Sequence, residues 1–118
     1  MAHYVDGFLL AVPKDKLEEY RDIATVAETV WREHGALDYR ECVGDDLHPP
    51  MGLPFPTLMN LQPDETVVFA WIVYPSREER DRINAAVMSD PRIKCDPEAM
   101  PFDCQRMAYG GFRTIVGS

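Results

Sequence analysis

No apolar run in this chain approaches the roughly 20 residues that span a bilayer, so no membrane partner is expected. Positive charge is also scarce. Twelve Lys and Arg stand against 20 Asp and Glu, a net charge of −8. Phosphate backbones and anionic lipid are held by clustered cations, so nucleic acid is not an expected partner either. Cysteine is limited to Cys42, Cys95 and Cys104. An odd count without C-x-x-C spacing excludes a disulfide framework and a zinc ribbon. Cys42 falls inside a predicted strand and reads as a small buried hydrophobe. Cys104 has no Lys or His nearby in sequence to activate its thiol. Nothing matches a P-loop or a dinucleotide fingerprint. The start, Met1-Ala2-His3-Tyr4-Val5-Asp6, lacks the basic segment and small-residue cleavage site of a signal peptide. The expectation is a soluble cytoplasmic protein.

What is present is an ordinary globular composition, 46% apolar and 27% charged over 118 residues. That length predicts a single domain, residues 1–118. Its clearest feature is Thr66–Tyr74, nine residues without charge, Gly or Pro. A strand apolar on both faces is covered on both faces. His3–Val12 reads as a second such strand, ended by Pro13. Within it Asp6 shares a face with Tyr4, Phe8 and Leu10, because side chains alternate along a strand. An acid there is either a hydrogen-bonded residue near the strand end or a group facing a polar cavity.

Two helices are predicted. Over Lys14–His34, Leu17, Tyr20, Ala24, Ala27 and Trp31 recur at spacings of three and four, with Ile23, Val26 and Val30 widening the stripe. Gly35 supplies the stop, and His34 falls in the last turn, where a capping role competes with a functional one. The second helix starts at Ser76, with Glu79 in capping-box position, and ends before Asp90-Pro91. Ile83, Ala86 and Val87 form its apolar stripe, and Arg77, Glu78, Arg80, Asp81 and Arg82 are read as its solvated side.

Ala36–Gly44 is a more polar strand, expected at a sheet edge. Leu37, Tyr39, Glu41 and Val43 share one of its faces. Glu41 there either meets a cavity or faces solvent or a subunit partner's Arg as a structural pair. Cys104–Val116 is the last predicted strand. Its Gly110-Gly111 pair points to a bulge, or to close approach by another backbone or a ligand. Arg106 near its start is a candidate partner for Asp6, for Glu41 or for an anionic ligand. Between the strands, residues 45–65 carry five prolines among Leu47, Met51, Leu53, Phe55, Leu58, Met59 and Leu61. So apolar a segment packs as an arm or lies as a lid over a cleft. Asp45, Asp46 and His48 do not complete a ligand set, and no metal is expected.

The order strand, helix, strand, strand, helix, strand is the split βαβ, ferredoxin-like arrangement: α+β, a four-stranded antiparallel sheet with the first and third strands central. Two helices cover one face. A second copy's sheet is the economical cover for the other, which gives a two-fold dimeric α+β barrel.

The segments Tyr4-Val5-Asp6-Gly7-Phe8, Val12-Pro13-Lys14-Asp15, Trp31-Arg32-Glu33-His34-Gly35-Ala36-Leu37, Glu41-Cys42-Val43, Glu65-Thr66-Val67-Val68-Phe69-Ala70-Trp71-Ile72-Val73, Met100-Pro101-Phe102-Asp103 and Arg106-Met107-Ala108-Tyr109-Gly110-Gly111-Phe112 together resemble the YbaA-like bacterial family, a domain of unknown function. The resemblance implies the dimeric α+β-barrel superfamily. That superfamily includes cofactor-independent monooxygenases, muconolactone-isomerase-like proteins and chlorite-dismutase-like haem proteins. It implies no activity. Nothing marks His34 as a haem ligand, and no cofactor is expected.

Two functions from different classes follow as expectations. One is a homodimer that binds a small molecule in a pocket between sheet and helices or at the dimer seam. The other is a cofactor-independent monooxygenase- or isomerase-like enzyme, for which Asp6, His34, Glu41, Arg106 and Tyr109 would converge on a cavity lined by Phe8 and Trp71. A third reading makes the proline-rich arm the contact surface of a structural or regulatory partner protein.

Overall fold

The computed structural model describes residues 2–93 and 96–117; Cys95 lies outside them. Strand β1 (Tyr4–Pro13) leads through a 3-10 turn (Lys14–Lys16) into helix α1 (Leu17–His34), then β2 (Asp38–Val43). A short helix α2 (Phe55–Leu58) interrupts the proline-rich segment before β3 (Glu65–Tyr74) and helix α3 (Arg77–Met88). A 3-10 turn (Cys104–Arg106) precedes β4 (Ala108–Arg113). The sheet order is β2-β3-β1-β4, antiparallel throughout, with the two most apolar strands at its centre and β2 at an edge. This is the ferredoxin-like βαββαβ fold. No helix among the described residues is long and apolar enough to cross a membrane.

The core follows from strand alternation. Leu10, Val12, Val68, Ile72 and Tyr74 point to the helix layer, where Tyr20, Ala24, Val30, Ile83 and Val87 meet them. Ser76 caps α3, its hydroxyl accepting from the Glu79 amide at 3.2 Å, while Arg82 donates to the Glu79 carboxylate at 2.6 Å. Gly35 ends α1 with φ 121°, a conformation that favours glycine. The α1 stripe is narrower than expected: Ile23 and Val26 are exposed.

The opposite face is the thin side of the molecule. The shortest axis spans 20 Å, which is a sheet and one helix layer at roughly 10 Å each. Val5, Leu9, Phe69, Trp71, Val73 and Phe112 line this face by register. Phe69 is 43% exposed and Phe112 61%. The proline-rich arm covers only one end of it. Met59, Leu47 and Leu61 pack there on Ala11, Val67 and Leu9, and Phe55 meets Phe69 edge-on at 6.3 Å. The chain therefore seals part of the face that was assigned wholly to a second copy. Cys42 also lies on this face and is exposed, not buried, because an edge strand has no layer over its outer side.

The last strand is shorter than the span read from sequence, because residues 104–106 turn as a 3-10 helix. No bulge interrupts the register at Gly110 and Gly111. A Cβ at Gly111 would sit 2.5 Å from the Tyr4 hydroxyl and 2.7 Å from Arg80 Nη2. Glycine is present to let those side chains through. Gly111→Ala is expected to lower stability by about 1–3 kcal/mol through this overlap, measured by urea unfolding, whereas Gly110→Ala, with no atom closer than 3.9 Å, costs less.

Arg106 fastens the arm to the body. It donates to Glu65 Oε1 at 2.8 Å, to Asp103 at 3.0 Å and to the Asn60 carbonyl at 3.1 Å. Its hydrogen bond holds the Glu65 carboxyl below its ordinary value of 4.5. A carboxylate depressed in the folded state stabilises fully above its unfolded pKa, and that contribution is lost as pH falls through the folded value. Thermal stability should therefore drop on acidification below about pH 4.5, and Glu65→Gln should flatten that drop in a melting series.

Candidate functional site

Under the helix layer lies a cavity of about 360 Å³. Its floor is the sheet, with Phe8, Leu10, Ala70 and Ile72. Its roof is α1, with Ile23, Ala24, Ala27 and Trp31. Met88, Met100, Phe102, Met107 and Tyr109 complete the wall. Phe8 and Tyr109 are cross-strand neighbours whose rings stack at 6.0 Å and 13°.

Each end of the cavity carries one carboxylate. Asp6 is 5% exposed, an acid on the core face of a central strand. Arg80 reaches it from α3, with Nη2 at 3.0 Å and Nε at 3.1 Å from Oδ1. The Tyr74 hydroxyl lies 2.9 Å from Oδ2, and Asn84 donates at 3.4 Å. Trp31 Nε1 donates to Asn84 Oδ1 at 3.1 Å, which joins α1 to the network. The Asp6 hydrogen bond raises the Arg80 guanidinium above its ordinary value, and the guanidinium sits 5.2 Å over the Tyr4 ring. Burial, then Asp6, raises the Tyr74 phenol.

Glu41 holds the other end. Tyr39, two residues earlier on the same face, donates to Oε2 at 2.7 Å, and Tyr20 from α1 donates to Oε1. Burial first, then the Glu41 charge, raises both phenols, so they remain donors. Among the described residues, no Lys, Arg or His forms an ion pair with Glu41. A second cavity of about 560 Å³ opens between α1 and β2. It shares Tyr20, Ala24, Tyr39 and Glu41 with the first, so these four residues border both.

The fold thus brings Asp6, Phe8, Glu41 and Tyr109 to one cavity. It does not bring Trp71, His34 or Arg106. Trp71 pairs with Gly7 in register, which puts it on the opposite face from Phe8, and its indole donates to Asp38 at 3.3 Å. His34 Nε2 lies 3.2 Å from Asp90, beyond the cavity. Arg106 is engaged by Glu65 and Asp103, not by Asp6 or Glu41. Arg80 was assigned to the solvated side of α3, yet it is the cation that reaches Asp6. The missed signal is its spacing: Arg80 and Asn84 are four apart and flank Ile83 and Val87 on one helical face. Among the described residues no group of three His, Cys, Asp or Glu could hold a metal ion.

A four-stranded antiparallel βαββαβ layer with helices on one face and a cavity beneath them defines a ferredoxin-like α+β protein. Solved structures of that class align over the whole chain. One is a dimeric ferredoxin-like protein from an uncultured marine organism, at TM-score 0.61 and 10% identity, covering 100% of both chains. Another is a Bacillus cereus protein named as a candidate antibiotic biosynthesis monooxygenase, at TM-score 0.60 and 10% identity, covering 100% of this chain and 96% of that one. At such identity the likeness concerns the fold alone. The chain belongs to the DUF1428 family of proteins of unknown function, whose profile matches residues 3–104. It is 47% identical over 113 residues to the uncharacterized protein YbaA of Escherichia coli strain K12, covering 96% of this chain and 97% of that protein. YbaA of Shigella flexneri matches to the same extent.

Proposed function

We propose that this protein is a homodimer that binds a small, mostly apolar molecule in the cavity between its sheet and its helices. The observation that carries the reading is the cavity itself. Its volume of about 360 Å³ falls within the roughly 300–1,000 Å³ of ligand sites, and such sites pair apolar walls with a few convergent polar groups. Asp6 with Arg80 and Asn84 at one end, and Glu41 with Tyr20 and Tyr39 at the other, supply those groups.

The dimer half of the proposal rests on the uncovered sheet face. Phe69 and Phe112 are exposed on it beside half-buried Trp71 and Val73, and Met51, Leu53 and Leu58 are exposed on the arm. A surface of that kind favours burial against a like surface, and a second copy offers an identical one across a two-fold axis. The marine structural neighbour is itself described as dimeric.

Filling the cavity tests the ligand reading. Ala27→Phe places a ring under the roof at a half-buried position. The variant should keep its helical circular dichroism and lose the thermal shift that cavity-binding compounds give the parent protein. A variant that still shifts in parallel with the parent places the ligand elsewhere.

Glu41 favours a second reading, an isomerase-like enzyme. A carboxylate hydrogen-bonded by two phenols and without a cationic partner can accept a proton from a bound substrate. In that case Glu41→Gln abolishes turnover while binding persists.

A further inference from the structure

Resting on the ligand-binding reading above, we propose that the cavity selects a small amine, seating an ammonium group beside Glu41 and an apolar body along Phe8 and Tyr109.

Charge is the first argument. Among the described residues, Asp6, Glu41 and Arg80 are the charged side chains that line this cavity. Asp6 and Arg80 neutralise each other at one end. Glu41 then leaves one net negative charge at the other, held by neutral phenols alone. A carboxylate offers about four acceptor sites, and the two tyrosines use two. The remaining sites draw a cation or a hydrogen-bond donor.

The walls choose between those two. Tyr39 lies against Trp31 at 6.0 Å, and Tyr20 meets Phe102 edge-on at 5.7 Å. The Glu41 end of the cavity is therefore walled by aromatic side chains, and no second charged side chain among the described residues lining it screens Glu41 there. A neutral alcohol would satisfy Glu41 but gain no charge attraction. An anionic ligand meets repulsion from Glu41, and at the far end Arg80 is already held by Asp6.

Titration calorimetry of the full chain with three phenyl compounds of similar shape decides the point: phenethylammonium, phenethyl alcohol and 3-phenylpropionate. The ammonium should bind about tenfold or more tighter than the alcohol, as ~1.4 kcal/mol of added attraction requires, and the propionate more weakly than either. Glu41→Gln should bring ammonium affinity down to that of the alcohol and leave alcohol affinity within about twofold, since that ligand carries no charge to lose. Should Glu41→Gln fail to fold, the parent ranking decides alone. Equal or tighter binding of the alcohol or the propionate, or an ammonium preference that survives Glu41→Gln, overturns the amine assignment and leaves the cavity reading standing. Absence of binding by all three overturns both.

Discussion

Asp6→Ala is expected to lower stability by about 3 kcal/mol, the low end of the cost of breaking a buried ion pair from one side, because Arg80 keeps Asp81 at 2.8 Å. The geometry behind the figure is specific. Arg80 approaches within 3.0 Å of an acid whose side chain is 7% exposed, and Arg80 itself is 22% exposed. Removing the acid leaves the guanidinium over the Tyr4 ring with the more exposed Asp81, at 2.8 Å, as its remaining ion-pair partner. It also deprives the Tyr74 hydroxyl and the Asn84 amide of an acceptor. Asp6→Leu combined with Arg80→Met removes both charges and should recover most of the loss, since an apolar pair of similar volume is often as stable as the ion pair it replaces. Urea unfolding of the parent, the single variant and the double variant measures both values. A loss under about 1 kcal/mol for Asp6→Ala would place the pair in solvent-screened territory and contradict its description as a buried tie.

The second large effect concerns assembly. Phe69→Glu puts a charge at the middle of the uncovered sheet face, on central strand β3. Full burial of a Phe side chain contributes roughly 1.5–3 kcal/mol; Phe69, 43% exposed, has under half of that left to gain, and two-fold symmetry counts it twice. Dimer affinity should fall about tenfold or more from the lost burial, and further from the cost of desolvating a carboxylate. The chain itself should stay folded, because Phe69 is already 43% exposed in the single protomer. Light scattering at micromolar concentration should therefore read a monomer with unchanged far-ultraviolet circular dichroism. An unchanged dimer would move the interface elsewhere.

The parts of this molecule that sequence reveals are those governed by a local period. β3 reads as central because both parities of Thr66–Tyr74 are apolar, and it lies between β1 and β2 with the helix layer on one face and the arm over one end of the other. The caps at Ser76 and Gly35 are visible for the same reason, since each depends on one residue type at one position. What stays hidden depends on a meeting of distant residues. Arg80 looks like one of several surface cations until the fold brings Asp6 to it across 74 positions. Gly111 looks like a bulge until Tyr4 and Arg80 occupy the space its missing side chain leaves. Trp71 and Phe8 sit on strands that pair, but register fixes them on opposite faces, and register is set by both strands together. The arm is the hardest to read. Its prolines forbid a period, and its apolar residues do not reveal which part of the sheet they cover.

Among the residues that line the cavity, Asp6, Phe8 and Glu41 are accessible from strand alternation, which puts each acid among apolar neighbours and Phe8 on the face of Asp6. Tyr20 and Trp31 were accessible only as core, since helical spacing does not separate a wall from an interior. Their hydroxyl and indole groups become informative once Glu41 and Asn84 are seen as their acceptors.

The sheet face left bare by the arm carries the largest share of this account, because a lone chain would hold it against water. Native mass spectrometry of protein purified at micromolar concentration tests it most directly. The expected mass is twice 13.5 kDa. A species at the mass of one chain, persisting as the concentration is raised, would contradict it.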